Sequence, residues 1–162
     1  MNCQALHLKC QVTYTEIMID SRKIEDLIPR LQDLARQHIK LCADQGIDII
    51  ITSTYRDAET QNALYARGRN GNAGSIVTNA RAGESWHNFQ RAYDVVPVKF
   101  GKAVYNTSGI DGKVWQTLGK IGESLGLEWA GRWVSFKEYP HFQLTDGLTF
   151  AQADALMNSG LA

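Results

Sequence analysis

The chain has 162 residues, of which 44% are hydrophobic and 21% charged, and its 17 basic and 17 acidic side chains give no formal net charge. This length and composition are typical of one globular domain with a buried core. No run of lysine and arginine is interleaved with aromatic residues, so the sequence does not indicate a nucleic-acid partner. No segment has the apolar length of a membrane span, and we expect no stable membrane association.

The N-terminal region differs in character from the rest of the chain. We interpret residues 1–17 as an extension of uncertain role and residues 18–162 as a single domain, with Met18 as a hypothetical physiological initiator. The first residues lack the basic start and apolar run of a signal peptide. We therefore expect the protein to be made in the cytoplasm, so that any action outside the cytoplasm requires a separate route of release.

Cysteine usage is sparse. The three cysteines, Cys3, Cys10 and Cys42, are an odd number without a CxxC pair, which favours reduced thiols over a disulfide framework. A bridge between Cys3 and Cys10 is the less favoured alternative. Cys42 falls on an apolar helical stripe and is expected in the core.

The first half of the domain predicts two helices around a strand. Apolar side chains recur at three- to four-residue spacing, as in an amphipathic helix, at Ile24, Leu27, Leu31, Leu34 and Leu41, with His38 on the same stripe as a partly buried residue. Pro29 is expected in the first turn of this helix and Gly46 at its end. The β-branched run 47–54 predicts a buried strand. Asp57 is expected to cap a second helix that ends near Ala66.

The second half begins with a long loop and then mixes strands with helices. Residues 68–84 are rich in Gly, Asn and Ser and predict the loop. A helix is expected to follow the turn Asp111-Gly112-Lys113 and to end at Gly126, and a short helix is expected from Thr149 to about Met157. The predicted strands are 91–98, 102–104, 127–129 and 142–144. This order favours an α+β fold, a small antiparallel sheet with flanking helices.

Two histidines and an aspartate stand out as candidate metal ligands. His87 and Asp94 lie in Ser85-Trp86-His87-Asn88-Phe89-Gln90-Arg91-Ala92-Tyr93-Asp94, and His141 lies in Glu138-Tyr139-Pro140-His141-Phe142. Two imidazoles and one carboxylate form a ligand set of catalytic zinc, which leaves the fourth position open for water. The ion acidifies that water and polarises a scissile carbonyl. The sequence therefore predicts a hydrolase with one Zn²⁺ ion, although the same ligands also accept Fe²⁺, Co²⁺ or Mn²⁺.

Glu138 is the candidate general base, three residues before His141. Residues at this spacing on an ideal strand point to opposite faces, so both reach one metal only if the chain bends between them. Pro140 makes such a bend plausible because it restricts its own backbone and that of Tyr139. The alternative is a surface glutamate without a catalytic role.

Three further residues are candidates for contact with the substrate. Arg56 directly follows the predicted strand and is suited to bind a carboxylate or to stabilise an oxyanion. An ion pair with Asp57 or Glu59 is an equally good reading of Arg56. Ser85 is a candidate either to hydrogen-bond the substrate or only to form a local turn. Trp133 is the aromatic residue best placed to line a cleft.

These motifs resemble the VanY-like D-alanyl-D-alanine carboxypeptidase and L-alanyl-D-glutamate peptidase family, which includes small phage endolysins. Its first motif, S-x-H-x-x-G-x-A-x-D, is matched by Ser85, His87, Ala92 and Asp94, and its second, D/E-x-x-H, by Glu138 and His141. The strand that ends in Arg56 and the segments 79–88 and 133–142 are also similar to family members. The resemblance extends from about residue 19 to about residue 150.

The resemblance implies a fold shared with the hedgehog signalling domain and a site with defined roles. His87, Asp94 and His141 would bind zinc, Glu138 would be the base, and Arg56 would stabilise substrate or transition state. The implied substrate is the short peptide of bacterial peptidoglycan. Our first hypothesis is a monomeric L-alanyl-D-glutamate endopeptidase, a phage or prophage endolysin that reaches the wall when a holin opens the membrane. The alternatives are a D-alanyl-D-alanine carboxypeptidase and an inactive zinc-containing binding module.

The chain departs from the family motif at Gln90, which stands where glycine is usual. If that glycine is needed for a positive φ, glutamine would strain the turn between His87 and Asp94. If glycine serves only close packing, the substitution is harmless.

Overall fold

The computed structural model describes residues 18–160. The predicted extension and the cysteines at positions 3 and 10 lie outside this range. Within it the α-helices are α1 (Pro29–Asp44), α2 (Ala58–Ala66), α3 (Gly109–Ser124) and α4 (Phe150–Ser159), and the strands are β1 (Asp48–Ser53), β2 (Ala92–Lys99), β3 (Lys102–Ala103), β4 (Glu128–Trp129) and β5 (His141–Gln143). Short 3₁₀ turns span Ile24–Asp26, Trp86–Phe89 and Ala130–Arg132. The predicted α+β class is confirmed.

Local sequence signals set most helix boundaries. Pro29 occupies the first turn of α1, and the Asp57 carboxylate accepts a hydrogen bond from the Thr60 backbone N–H at the start of α2. Thr149 and Gln152 form a reciprocal capping box at the start of α4. The helix α3 begins at Gly109, earlier than predicted, because Gly112 donates its N–H to the Ser108 carbonyl and so continues the helix instead of ending a turn.

The sheet has the order β1-β2-β5-β4, all antiparallel, with β3 paired to β2. The central strand β2 therefore contacts both β1 and β5. Its register places Asp94 opposite His141 on β5 and opposite Ser53 on β1, where the pairing with β1 is irregular. Long-range pairing thus brings together residues that are distant in sequence.

The core lies between one face of this sheet and the helices α1 and α3. His38 is fully buried there; its Nε2–H donates to the Leu118 carbonyl at 2.9 Å, and its Nδ1 accepts from the Tyr93 hydroxyl at 2.7 Å. Burial lowers the pKa of His38, consistent with a neutral structural ring. The main core residues are Leu31, Ala35, Cys42, Tyr93, Val95, Val96, Trp115, Leu118, Trp129 and Phe142. Among the described residues, no helix is long and apolar enough to span a membrane.

The alternation of side chains along the strands separates this core from the candidate site. Tyr93 and Phe142 stack on each other and contact His38 on the helical side. Their neighbours Asp94 and His141 consequently point to the opposite face of the sheet. One face of β2 and β5 therefore builds the core, and the other presents the predicted ligands.

Candidate metal centre and active site

Three donor atoms meet at the sheet face opposite the core. His87 Nε2 lies 3.2 Å from His141 Nδ1 and 3.3 Å from Asp94 Oδ1, and His141 Nδ1 lies 3.2 Å from Asp94 Oδ1. Four ligands around a tetrahedral zinc ion at about 2.0–2.1 Å are roughly 3.3–3.4 Å apart. The three atoms therefore have the spacing of one face of a zinc coordination tetrahedron.

Each of these side chains comes from a different part of the fold. His87 lies in the 3₁₀ turn before β2, Asp94 lies within β2, and His141 is the first residue of β5. His87 and His141 are buried, and Asp94 is partly buried. The sequence predicted these three residues as a group, and the fold brings them together.

Hydrogen bonds on the outer side of each imidazole define which nitrogen faces the centre. His87 Nδ1 lies 2.6 Å from the Thr54 carbonyl oxygen, and His141 Nε2 lies 2.9 Å from Gln143 Oε1. Both partners are acceptors, so the protonated nitrogen of each neutral ring points outward and a lone pair points inward. Two lone pairs and a carboxylate oxygen at contact distance repel one another unless a cation lies between them. The residues therefore fit a zinc ion.

The electrostatics of the centre are dominated by Asp94. Burial by itself would raise the pKa of Asp94, but the adjacent His87 and His141 outweigh that effect and hold its pKa well below the usual range. Burial by itself would lower the pKa of His141, but the neighbouring Asp94 and Glu138 raise it overall. The fold thus stabilises positive charge at this point, as a cation site requires.

Arg56 lies beside the centre and is largely buried. Its Nη1 donates to Gln61 Oε1 at 3.0 Å, and its Nη2 donates to Ser53 Oγ at 2.9 Å. Its carboxylate neighbours are Asp20, 3.4 Å from Nε, and Asp94 Oδ2, 3.7 Å from Nη2.

The alternative that paired Arg56 with Asp57 or Glu59 is therefore wrong, because Asp57 is used as the cap of α2. The guanidinium instead lies beside the carboxylate of Asp94, a candidate ligand.

A cavity of about 720 Å³ opens onto the three donor atoms. Its lining includes the remaining predicted residues, Arg56, Ser85, Trp133 and Glu138. The Trp133 ring centroid is 5.7 Å from that of His141, so the indole forms a wall close to the centre. A second cavity of about 540 Å³ shares Asp94, Glu138 and His141 with the first. Asp94, Glu138 and His141 are thus exposed to both cavities.

Glu138 reaches the centre because the chain bends as predicted. The strand β5 begins only at His141, and the His141 N–H lies 3.4 Å from the Glu138 carbonyl oxygen across the Tyr139-Pro140 turn. Glu138 is partly buried and lines both cavities. Burial raises the pKa of Glu138, and Asp94 adds to this effect while His141 and Arg56 oppose it. The alternative of an exposed surface glutamate does not describe this environment.

Sequence reasoning overlooked the residues that support the ligands. Gln143 and Glu128 form a chain behind His141, and Asp20 and Ser53 hold Arg56. The spacing of His141 and Gln143 carried a signal, because residues two apart on a strand share a face. Glu128 and Asp20 carried none, since only the antiparallel pairing of distant segments brings them near.

Gln90 ends the turn that carries His87 and has φ 60° and ψ 23°, in the left-handed region. The position therefore does require a positive φ, and glutamine adopts it with strain. Ile28 donates its N–H to the Gln90 carbonyl oxygen at 3.1 Å, which helps to hold this conformation. The side chains of the candidate ligands His87 and Asp94 lie 3.3 Å apart despite the substitution.

A family model described as D-alanyl-D-alanine carboxypeptidase matches residues 78–144, a range that includes both predicted motifs. The peptidoglycan L-alanyl-D-glutamate endopeptidase CwlK of Bacillus subtilis (strain 168) is 36% identical over 124 residues, which cover 74% of this chain and 74% of CwlK. The fold is similar to that of the L-Ala D-Glu endopeptidase ChiX of Serratia marcescens, with a TM-score of 0.53 and 21% identity over 87% of this chain and 96% of that one.

The fold is also similar to that of two structures of VanY peptidases. Each match covers 93% of this chain and 88% of the VanY chain. The structure in complex with D-Alanine-D-Alanine has a TM-score of 0.56 and 13% identity. The structure of a D,D-pentapeptidase variant with Zn(II) has a TM-score of 0.50 and 16% identity.

The fold and the matched motifs define a peptidase of the VanY type. The chain belongs to the D-alanyl-D-alanine carboxypeptidase family, together with the endopeptidase CwlK. It is accordingly a peptidoglycan hydrolase of a zinc-dependent family, which confirms the resemblance seen in the sequence.

Proposed function

We propose that the protein is an L-alanyl-D-glutamate endopeptidase that cuts the stem peptide of peptidoglycan with one zinc ion. The observation that carries the proposal is the triangle of three inward-facing donor atoms, 3.2–3.3 Å apart, in the same cavity as Glu138. The choice of bond is supported by the 36% identity to CwlK.

His87 Nε2, His141 Nδ1 and Asp94 Oδ1 are the proposed ligands. A zinc ion held there would supply Lewis acidity to polarise a scissile carbonyl and to activate water. Asp94 Oδ2 faces the Arg56 guanidinium at 3.7 Å. Arg56 therefore orients the carboxylate so that Oδ1 is the oxygen offered to the ion.

Glu138 is the proposed general base and acid. Its carboxylate accepts a proton from the attacking water and passes it to the leaving amine, a transfer that typically contributes about 10²–10⁴-fold to the rate. This role is supported by its partial burial and by its position in the lining of both cavities.

Arg56, Ser85 and Trp133 are proposed to contact the substrate. Arg56 lines the cavity, and its guanidinium is suited to stabilise a developing oxyanion. Ser85 and Trp133 line the same cavity and would hold the peptide backbone and an apolar side chain.

The biological setting completes the proposal. We propose that residues 18–162 are a single monomeric catalytic domain of a phage or prophage endolysin, with residues 1–17 as an extension. The enzyme would act on the wall after holin-assisted release from the cytoplasm. This role is supported by the likeness of segments 79–88 and 133–142 to phage and prophage members of the family.

Product analysis on purified peptidoglycan tests the bond and the mechanism together. Zinc-loaded wild type is expected to create new L-Ala carboxyl ends and D-Glu amino ends, detected by mass spectrometry. Glu138→Ala is expected to lose at least 10²-fold in rate while it still binds zinc. The matched control is Glu25→Ala, which removes an exposed carboxylate paired with Arg36 and should retain full activity.

The second candidate function is a D-alanyl-D-alanine carboxypeptidase, which the description of the matching family model favours. Release of free D-Ala without new L-Ala ends would replace the first proposal with this one. If wild type releases no product while zinc remains bound, the protein is instead a zinc-containing binding module.

A further inference from the structure

A chain of hydrogen bonds extends from His141 to the far edge of the sheet. His141 Nε2 contacts Gln143 Oε1 at 2.9 Å, Gln143 Nε2 donates to Glu128 Oε2 at 2.7 Å, and Thr145 Oγ1 donates to Glu128 Oε1 at 2.8 Å. Gln143 is buried, whereas Glu128 is an exposed residue of the edge strand β4, directly opposite Gln143 in the β4–β5 register.

The direction of this chain follows from the chemistry of its last member. An ionised carboxylate only accepts hydrogen bonds, so Glu128 requires the amide nitrogen of Gln143 to face it. The amide oxygen must then face His141, and His141 must donate from Nε2. The lone pair of Nδ1 is consequently the one that points to Asp94 and His87.

We propose that Glu128, acting through Gln143, is a positioning residue that selects the metal-ligating tautomer of His141 and thereby sets the affinity for zinc. The inference rests on the proposed function in one respect, that the three donor atoms bind the ion. Glu128 does not line the cavity that holds the donor atoms, and the hydrogen bonds of the Gln143 amide connect it to His141.

Three changes separate this role from simple packing. Gln143→Leu keeps the size of the side chain and removes both hydrogen bonds. Glu128→Gln replaces the obligate acceptor, so that the Gln143 amide can rotate by 180° and exchange the positions of its oxygen and nitrogen. The double change Glu128→Gln with Gln143→Glu reverses the pair: the carboxylate then accepts from His141 and from the new amide.

Zinc dissociation constants from competition with a chromophoric chelator are the readout. Gln143→Leu is expected to weaken zinc binding by about 10–100-fold, the range found when such outer partners of metal-bound histidines are lost. Glu128→Gln is expected to weaken it by a smaller factor, and the reversed pair is expected to recover most of the wild-type affinity. In the Gln143→Leu background, Glu128→Gln should have no further effect, since the link is already broken.

The controls are Gln37→Leu, an exposed change of the same type on α1, and Glu25→Gln; both should bind zinc as wild type does. Circular dichroism and thermal unfolding of the zinc-free proteins check that each variant folds. If Gln143→Leu does not fold, the exposed Glu128→Gln and the reversed pair still decide the question.

Two results would overturn the inference: wild-type affinity in both single variants, or no recovery in the reversed pair. His87→Ala distinguishes this failure from failure of the metal site itself. If His87→Ala leaves zinc affinity unchanged, the donor triangle does not bind zinc and the proposed function fails. If His87→Ala abolishes binding while Glu128→Gln and Gln143→Leu do not alter it, only the positioning role fails.

Discussion

At the scale of single residues, the site depends on one strained position between two ligands. Gln90 adopts φ 60° at the end of the turn that presents His87. A left-handed conformation costs a residue with a Cβ about 1–2 kcal/mol, whereas glycine avoids that cost. A change to glycine therefore stabilises the protein by less than this amount, because glycine has more conformational freedom in the unfolded chain.

Gln90→Gly is therefore expected to raise the free energy of unfolding by about 0.5–1 kcal/mol. Urea denaturation of the zinc-free protein measures the change. Activity should be retained, because the backbone conformation that positions His87 is kept. Gln90→Ala is the matched control: it shortens the side chain but keeps the Cβ, so it should bring no such gain. Equal stability of all three proteins would contradict the strain at this position.

At the scale of elements, the close approach of α3 to the sheet depends on two glycines. A Cβ on Gly119 would lie 2.4 Å from the Trp129 ring, and one on Gly122 would lie 2.4 Å from the Phe142 ring. These contacts are shorter than real Cβ atoms allow, so the helix or the rings would have to move. Phe142 directly follows the candidate ligand His141, which links this packing to the site.

Gly119→Ala is expected to destabilise the protein by about 1–3 kcal/mol, although alanine is the better helix former by roughly 0.5–1 kcal/mol. Chemical denaturation measures the difference. Lys113→Ala, on an exposed position of α3, is the control and should change stability little. Unchanged or increased stability of Gly119→Ala would show that α3 or the Trp129 ring can move to accept the Cβ without an energetic cost.

At the scale of the whole molecule, the candidate metal centre connects segments that are far apart in sequence. It joins the turn before β2, the strand β2 itself and β5, and His87 also bonds to the Thr54 carbonyl beyond β1. An ion bound only by the folded arrangement stabilises that arrangement by mass action.

Removal of zinc with a chelator is therefore expected to lower the melting temperature, and its return should restore it. At a free zinc concentration about 1,000 times the dissociation constant, the stabilisation is about 4 kcal/mol. Calorimetry with and without zinc measures this effect. The melting temperature of His87→Ala should no longer depend on zinc. If the melting temperature of wild type is also independent of zinc, the three donor atoms do not bind the ion in the folded protein.

Local patterns were sufficient for much of the fold. The apolar stripe predicted α1, the β-branched run predicted β1, and Asp57 and Thr149 marked the starts of α2 and α4. These signals depend on residues within a few positions of one another. The start of α3 was misplaced because Gly112 was interpreted as part of a turn, while its actual partner is the Ser108 carbonyl.

The residue types predicted the chemistry of the site. Two histidines, an aspartate and a glutamate in these motifs indicate a metal-dependent hydrolase. Only the tertiary structure decided which atoms face the centre, how Arg56 is held, and that Glu128 and Gln143 stand behind His141. The reason is physical. Motifs record covalent neighbours, whereas the orientation of a buried ring is set by hydrogen-bond partners that strand pairing and packing bring from elsewhere in the chain.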